Sequence, residues 1–549
     1  MVETVVRTAQ GRVQGRAVED AVAFLGIPYA AAPVGEHRFR PAAPPPCWDG
    51  VRDATVHGPT APMPGYPWPF DALLPNPVVA GDEYLNVNVW TPDPGAGGLP
   101  VIVWIHGGAF VNGSNSVPIY DGSRFARDGV VLVSVNYRLG VEGFALLPDS
   151  VPNLGLLDQV AALQWVQENV AAFGGDPGTV TIAGESAGAM SIGALLVMPR
   201  ARGLFRRAVL QSGAAHHVLS APTATRVAGY LAEELGVSAT REALVALPAA
   251  ALVRGQKALS AQFQAAPDPA RWGEIVANLM VFEPVVDGDV LPGRPIERIA
   301  AGAAAGVEVL VGSNRQEHRL FLVPNGLVDL VGEQALEAVA LGYRLPPGGL
   351  DRYRAANPGA SAGELLTEVM TDFFYRIPAL RLAEGQPGSR VYEFDWASPA
   401  YNGRLGACHA LELPFVFDNL DATGAAAMGG EWPPQKLADA MHGAWAAFAS
   451  TGDPGWPAYD GRLRACHALE LPFVFDTLDA AGAAAMGGER PPQKLADAMH
   501  GAWVAFASTG DPGWPAYDLQ RRSVRRFGDT VETVEDPRGD LRELWDGIR

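Results

Sequence analysis

The chain has 549 residues, 48% hydrophobic and 18% charged, with a net charge of −19. That is enough apolar sequence for a large core, and the acidic balance excludes nucleic acid and anionic membrane surfaces as expected partners. No apolar run approaches the ~20 residues of a membrane span, no basic-then-apolar leader opens the chain, and Cys47, Cys408 and Cys466 form neither a disulfide framework nor a metal-ligand spacing, so the expectation is a cytoplasmic protein.

Taken in order, residues 4–15 alternate around Gln10-Gly11 and predict a hairpin. The proline-containing stretches 24–29 and 41–46 are expected to be irregular. Residues 84–90 alternate as a strand, and 101–105 are almost wholly apolar, which suits a parallel strand covered on both faces. That run ends at His106-Gly107-Gly108-Ala109-Phe110. A second such run, 130–135, leads to Asn136-Tyr137-Arg138-Leu139-Gly140. Leu157, Val160, Ala161, Leu163, Trp165 and Val166 have helical spacing within 156–173, and Gly174-Gly175-Asp176-Pro177 stops the helix. Strand, helix and strand in turn mean a parallel sheet with crossover helices. Further strands are expected at 208–213, 307–312 and 390–394, while 221–275 is alanine-rich and predicts helices covering the sheet. No low-complexity linker interrupts the chain, so residues 1–549 read as one α/β domain with helical excursions.

One feature is unusual. Residues 403–460 recur as 461–518, with five differences: Gly406/Arg464, Asn419/Thr477, Thr423/Ala481, Trp432/Arg490 and Ala446/Val504. Two units are too few for a solenoid, which needs at least about three. A recent tandem duplication, or an assembly artefact in the sequence, accounts for the near-identity.

The chemistry centres on Gly184-Glu185-Ser186-Ala187-Gly188. A β-branched run stops at Gly184 and small residues follow Ser186 into a helix, which is the strand–turn–helix setting of a G-x-S-x-G nucleophile elbow. Alone, the pattern also fits an ordinary turn carrying a solvent serine; the strand and helix around it favour the nucleophile. A serine hydroxyl needs a base, an orienting acid and donors for the oxyanion. The loop His106-Gly107-Gly108-Ala109 follows a buried strand upstream, where small residues let backbone N–H groups approach a substrate carbonyl, and the Ala187 N–H adds a third donor.

With these motifs the chain resembles the type B carboxylesterases, the family that includes the cholinesterases and bacterial p-nitrobenzyl esterases. The matching stretches are Tyr84-Leu85-Asn86-Val87, Trp104 to Phe110, Asn136 to Gly140, Phe173 to Pro177, Gly184 to Gly188, Leu210-Gln211-Ser212-Gly213, Pro284-Val285-Val286-Asp287-Gly288 and Leu544-Trp545. The resemblance implies the α/β-hydrolase fold and hydrolysis of small-molecule carboxylic esters through an acyl-enzyme, with no metal or organic cofactor. A monomer is the expected state. Ser186 is then the nucleophile, and Glu317, in Gly312-Ser313-Asn314-Arg315-Gln316-Glu317, the triad acid. Gly108, Ala109 and Ala187 correspond to the oxyanion donors, with Gly107 giving flexibility. The family often has aspartate where Gln316 stands, and a third glycine where Ala109 stands; neither change removes the acid or an N–H.

The base lies in a segment resembling Ala407-Cys408-His409-Ala410-Leu411-Glu412-Leu413-Pro414-Phe415. His409 is preferred because it follows the 390–394 strand at family-like distance, with His467 of the second copy as the alternate. His318, adjacent to Glu317, comes too early for the family's base. Cys408 and Cys466 read as buried small apolar groups, and Phe110, Trp68 and Phe321 are candidates for lining an acyl or alcohol pocket. Two other readings stay open at this point: a non-catalytic binding protein on the same fold, and a relic inactivated by the duplication.

Overall fold

The computed structural model describes residues 4–456, together with 458, 505, 523–527, 531–535, 544 and 545. Its centre is a nine-stranded sheet built from β1 (Arg16–Val18), β2 (Ala21–Pro28), β3 (Asn86–Thr91), β4 (Leu99–Ile105), β5 (Val131–Val135), β6 (Gly175–Glu185), β7 (Arg207–Gln211), β8 (Glu308–Asn314) and β9 (Arg390–Phe394). The spatial order is β9-β8-β7-β6-β4-β5-β3-β2-β1. From β9 to β5 every pairing is parallel, and the β5–β3, β3–β2 and β2–β1 pairings are antiparallel. The expected hairpin forms from Val5–Arg7 and Arg12–Gln14, outside this sheet.

The apolar runs explain why the parallel strands sit inside. On β4, Val101, Val103 and Ile105 enter one core cluster, whereas Ile102 and Trp104 enter the cluster on the opposite face. Helix α1 (Leu154–Asn169) contributes Leu156, Val160 and Leu163 to the first cluster. Helix α3 (Gln435–Thr451) contributes Trp445 and Phe448 to the second. Each such side chain stabilises by roughly 1.5–3 kcal/mol when fully buried. Between β6 and β7 runs the short helix α2 (Ala187–Leu195), all of whose residues are buried.

One expectation fails. Residues 24–29 are regular: β2 runs through them to Pro28 and pairs with β3, with a register shift between Phe24 and Ile27. β1 covers only Ala21 to Ala23, so beyond that point one edge of β2 has no strand partner. A bulge and a proline are tolerated on such an edge. Gly26 takes φ +71° in the bulge, where an added Cβ would stand 2.6 Å from Gly58 N. The 221–275 stretch is helical as expected and adds no strand to the central sheet.

The first copy of the repeat is part of the fold. Leu411, Phe415, Val416 and Phe417 are buried in the second cluster beside Trp104 and Phe125. Near the other end of the chain, Trp545 is fully buried and donates through Nε1 to Tyr353 OH at 3.0 Å. His467 and Cys466 of the second copy lie outside the described residues.

Candidate active site

The turn between β6 and α2 consists of Ser186 alone, at φ 54° and ψ −123°. A non-glycine residue in such a region costs ~1–3 kcal/mol, and it persists only where its surroundings over-determine it. Here they do. A Cβ at Gly184 would lie 2.7 Å from Ile105 O, and one at Gly188 2.0 Å from the same oxygen, so only glycines allow β4 to pack this close. Ser186 N–H donates to Gln211 O at 2.9 Å, tying the turn to the end of β7. The serine is half-buried, and its hydroxyl makes no hydrogen bond among the described residues.

The loop after β4 packs against this turn: a Cβ at Gly107 would stand 3.1 Å from Ser186 Cβ. Gly108, Ala109 and Phe110 all have positive φ, at 115°, 54° and 61°. Among the described residues the N–H groups of Gly108 and Ala109 meet no acceptor. Ala187 opens α2, so its N–H has no acceptor within the helix.

Glu317 follows β8 and is fully buried. Its Oε1 accepts from Asn314 N–H at 2.7 Å, and its Oε2 lies 2.6 Å from His409 Nδ1. The His409 backbone N–H also donates to Glu317 O, at 3.2 Å. On the other side of the ring, Nε2 is 3.0 Å from Glu185 Oε1, beside the serine rather than on it. A third buried carboxylate, Glu412, accepts from Asn314 Nδ2 at 2.6 Å and Gln211 Nε2 at 3.1 Å.

Burial alone would lower the His409 pKa, but Glu185 and Glu317 favour the imidazolium and the net result is well above the ordinary histidine value. Burial raises Glu185 in spite of His409. Glu412 is pushed up to about 8 by burial and by its two carboxylate neighbours. Sequence reasoning passed over both Glu185 and Glu412. Their signals were present, one inside the elbow motif and one three residues after the histidine.

Other residues fall into place around the ring. Phe321 and Tyr375 have ring centroids 5.4 Å and 4.8 Å from that of His409. Phe110 is instead core, edge-on to Phe144, and Trp68 is exposed. His318 is buried among Phe321, Phe374 and Tyr375, and burial, with the charge of His409, lowers its pKa to about 3. Cys408 is buried, as expected for a small apolar group.

A mostly parallel sheet, helices on both faces and a serine turn between a central strand and the helix after it define the α/β-hydrolase fold. The Carboxylesterase family model matches residues 2–462, and the chain belongs to that family. It is 39% identical over 489 residues to the para-nitrobenzyl esterase of Bacillus subtilis (strain 168), covering 84% of this chain and 94% of that protein. It is 37% identical over 473 residues to the phenmedipham hydrolase of Pseudarthrobacter oxydans, covering 83% and 92%. The crystal structure of the Geobacillus stearothermophilus carboxylesterase EST55 at pH 6.2 superposes with a TM-score of 0.75 at 36% identity, covering 99% of this chain and 100% of that one. The chain is thus a hydrolase of carboxylic ester bonds.

Proposed function

We propose that ester hydrolysis proceeds through an acyl-enzyme on Ser186, with His409 as base, Glu317 as its orienting acid, and Gly108, Ala109 and Ala187 as oxyanion donors. The observation that carries this is the 2.6 Å contact of His409 Nδ1 with Glu317, which fixes the tautomer. An Nδ1–H given to a carboxylate leaves Nε2 free to accept a proton. Nε2 faces Glu185, one residue from the nucleophile, and in the proposed mechanism it makes its contact with the Ser186 hydroxyl once substrate is bound. Such contacts often tighten only in the substrate complex. Losing one oxyanion donor typically costs ~10²–10³ in rate.

The enzyme is one domain in which the first copy of the duplicated block supplies the base, and the family match to residues 2–462 takes in that copy. It is read as a monomer, and the free Cys47 and Cys408 support the reading of a reducing compartment. The relative named para-nitrobenzyl esterase makes p-nitrobenzyl esters the first substrates to try. Purified protein is expected to hydrolyse such an ester, and Ser186→Ala to abolish turnover with an unchanged circular dichroism spectrum. Wild-type turnover in the alanine variant would remove Ser186 from the mechanism.

A further inference from the structure

Two consecutive peptides of the loop after β4 are held by their carbonyls. Gly108 O accepts from Val111 N–H at 3.0 Å and from Asn112 N–H at 2.9 Å. Gly107 O lies 2.8 Å from His106 Nδ1. Trp68–Pro69 is the only cis peptide among the described residues, so both loop peptides are trans. Across a trans peptide the N–H points away from the C=O. Anchoring Gly108 O therefore aims the Ala109 N–H, and anchoring Gly107 O aims the Gly108 N–H. The first is aimed by backbone alone, the second by a single side chain.

That side chain is itself clamped. His106 is 1% exposed, and its ring stacks on Tyr137 with centroids 4.6 Å apart and planes 19° from parallel. Tyr137 OH donates to His106 O at 2.9 Å. A carbonyl can only accept, so Nδ1 must carry the hydrogen. Burial lowers the His106 pKa to about 4, which keeps the ring neutral. Gly113 leaves room for the contact: a Cβ there would sit 2.3 Å from Gly107 O and 2.5 Å from His106 Nδ1.

We propose that His106 is a positioning residue of the oxyanion site, its Nδ1–H holding the Gly107 carbonyl so that the Gly108 N–H faces the carbonyl oxygen of an ester bound at Ser186. This rests on the reading of Ser186 as nucleophile. His106 touches no substrate; it sets the direction of a donor that does. A misaimed donor is lost chiefly where charge develops, so the effect falls on kcat and spares KM.

The test compares His106→Asn, His106→Gln and His106→Phe in the full chain. The asparagine amide nitrogen occupies the Nδ1 position, the glutamine amide nitrogen reaches the Nε2 position, and phenylalanine keeps only the stack. Asparagine should hold kcat near wild type, while glutamine and phenylalanine lower it ~10²-fold, the scale of one oxyanion donor, at little-changed KM. Affinity for an aryl trifluoromethyl ketone, whose tetrahedral adduct carries the oxyanion, should fall in parallel. Ser186→Ala is assayed alongside; turnover near wild type there overturns the nucleophile reading and this proposal with it. A silent Ser186→Ala beside a glutamine variant of wild-type kcat overturns the His106 role alone. So does an asparagine variant that falls as far as glutamine. Should the phenylalanine variant fail to fold, the comparison of the two amides decides.

Discussion

In the proposed mechanism His409 takes a proton from Ser186 only when its ring is neutral, and two carboxylates work against that. Glu185 and Glu317 raise its pKa well above the ordinary histidine value. Below that pKa the ring is an imidazolium and cannot act as base; activity appears as pH rises through it. Glu185→Gln removes one stabilising charge 3.0 Å from Nε2, and losing an opposite charge lowers the pKa of an imidazolium. The acid limb of the kcat/KM profile should therefore move to lower pH. The position of the limb is the readout, not its height. An unmoved limb, or one displaced to higher pH, would show that Glu185 does not act on the base. Glu412, at about 8, holds its proton at neutral pH. That spares the imidazole a third carboxylate charge.

The elbow is an element-scale device, because β4, β6 and α2 meet there with no space between their backbones. Gly188→Ala would push a methyl to 2.0 Å from Ile105 O at an ordinary φ, so only sterics are in play. Overpacking of this kind costs ~1–3 kcal/mol, and the thermal midpoint should fall together with turnover. Gly229, inside Ala221–Leu235, is the control: nothing lies within 4 Å of its added Cβ. Gly229→Ala should be neutral or stabilising by ~0.5–1 kcal/mol. Equal midpoints for the two variants would refute the close-packing account. The parallel strands were legible in the sequence because they are buried on both faces and read as short apolar runs. The strained turn at Ser186 was legible because such a turn demands glycines at fixed offsets. β2 was missed because Gly26 and Pro28 signal irregularity locally, and only the missing strand partner on one edge makes them harmless. Glu185 and Glu412 were missed for a related reason. A carboxylate acquires its role from partners distant in sequence, here His409, Asn314 and Gln211.

For the whole molecule, the proposed assignment of the base to the first copy of the repeat is supported by three of the five differences. Gly406 has φ +59°, and a Cβ there would stand 2.1 Å from Gln316 Oε1; the second copy has Arg464 at this place. Holding a residue with a Cβ in that region costs roughly 1–2 kcal/mol before any clash. Asn419 Nδ2 donates to Pro118 O at 3.0 Å, where the second copy offers only Thr477. Ala446 is half-buried against the core, and Val504 adds two methyl groups at its equivalent. Residues 403–460 therefore suit the site better than 461–518. His409→Ala should silence most of the activity and His467→Ala little of it. Deleting 461–518 rejoins Asp460 to Leu519 with the same local sequence and keeps Trp545, whose indole donates to Tyr353. The extra copy costs the parent fold little in chain closure, ~0.6 kcal/mol per doubling of a loop. The deletion variant should therefore keep wild-type kcat and a similar thermal midpoint, and it should aggregate less because the apolar residues of a surplus copy are gone. Gly406→Arg copies the most obstructive difference into the first block and should lower activity in the deletion background, where no second copy can take over. A dead His467→Ala beside an active His409→Ala would reverse the assignment. Equal partial losses would instead mean that the two copies exchange at one site.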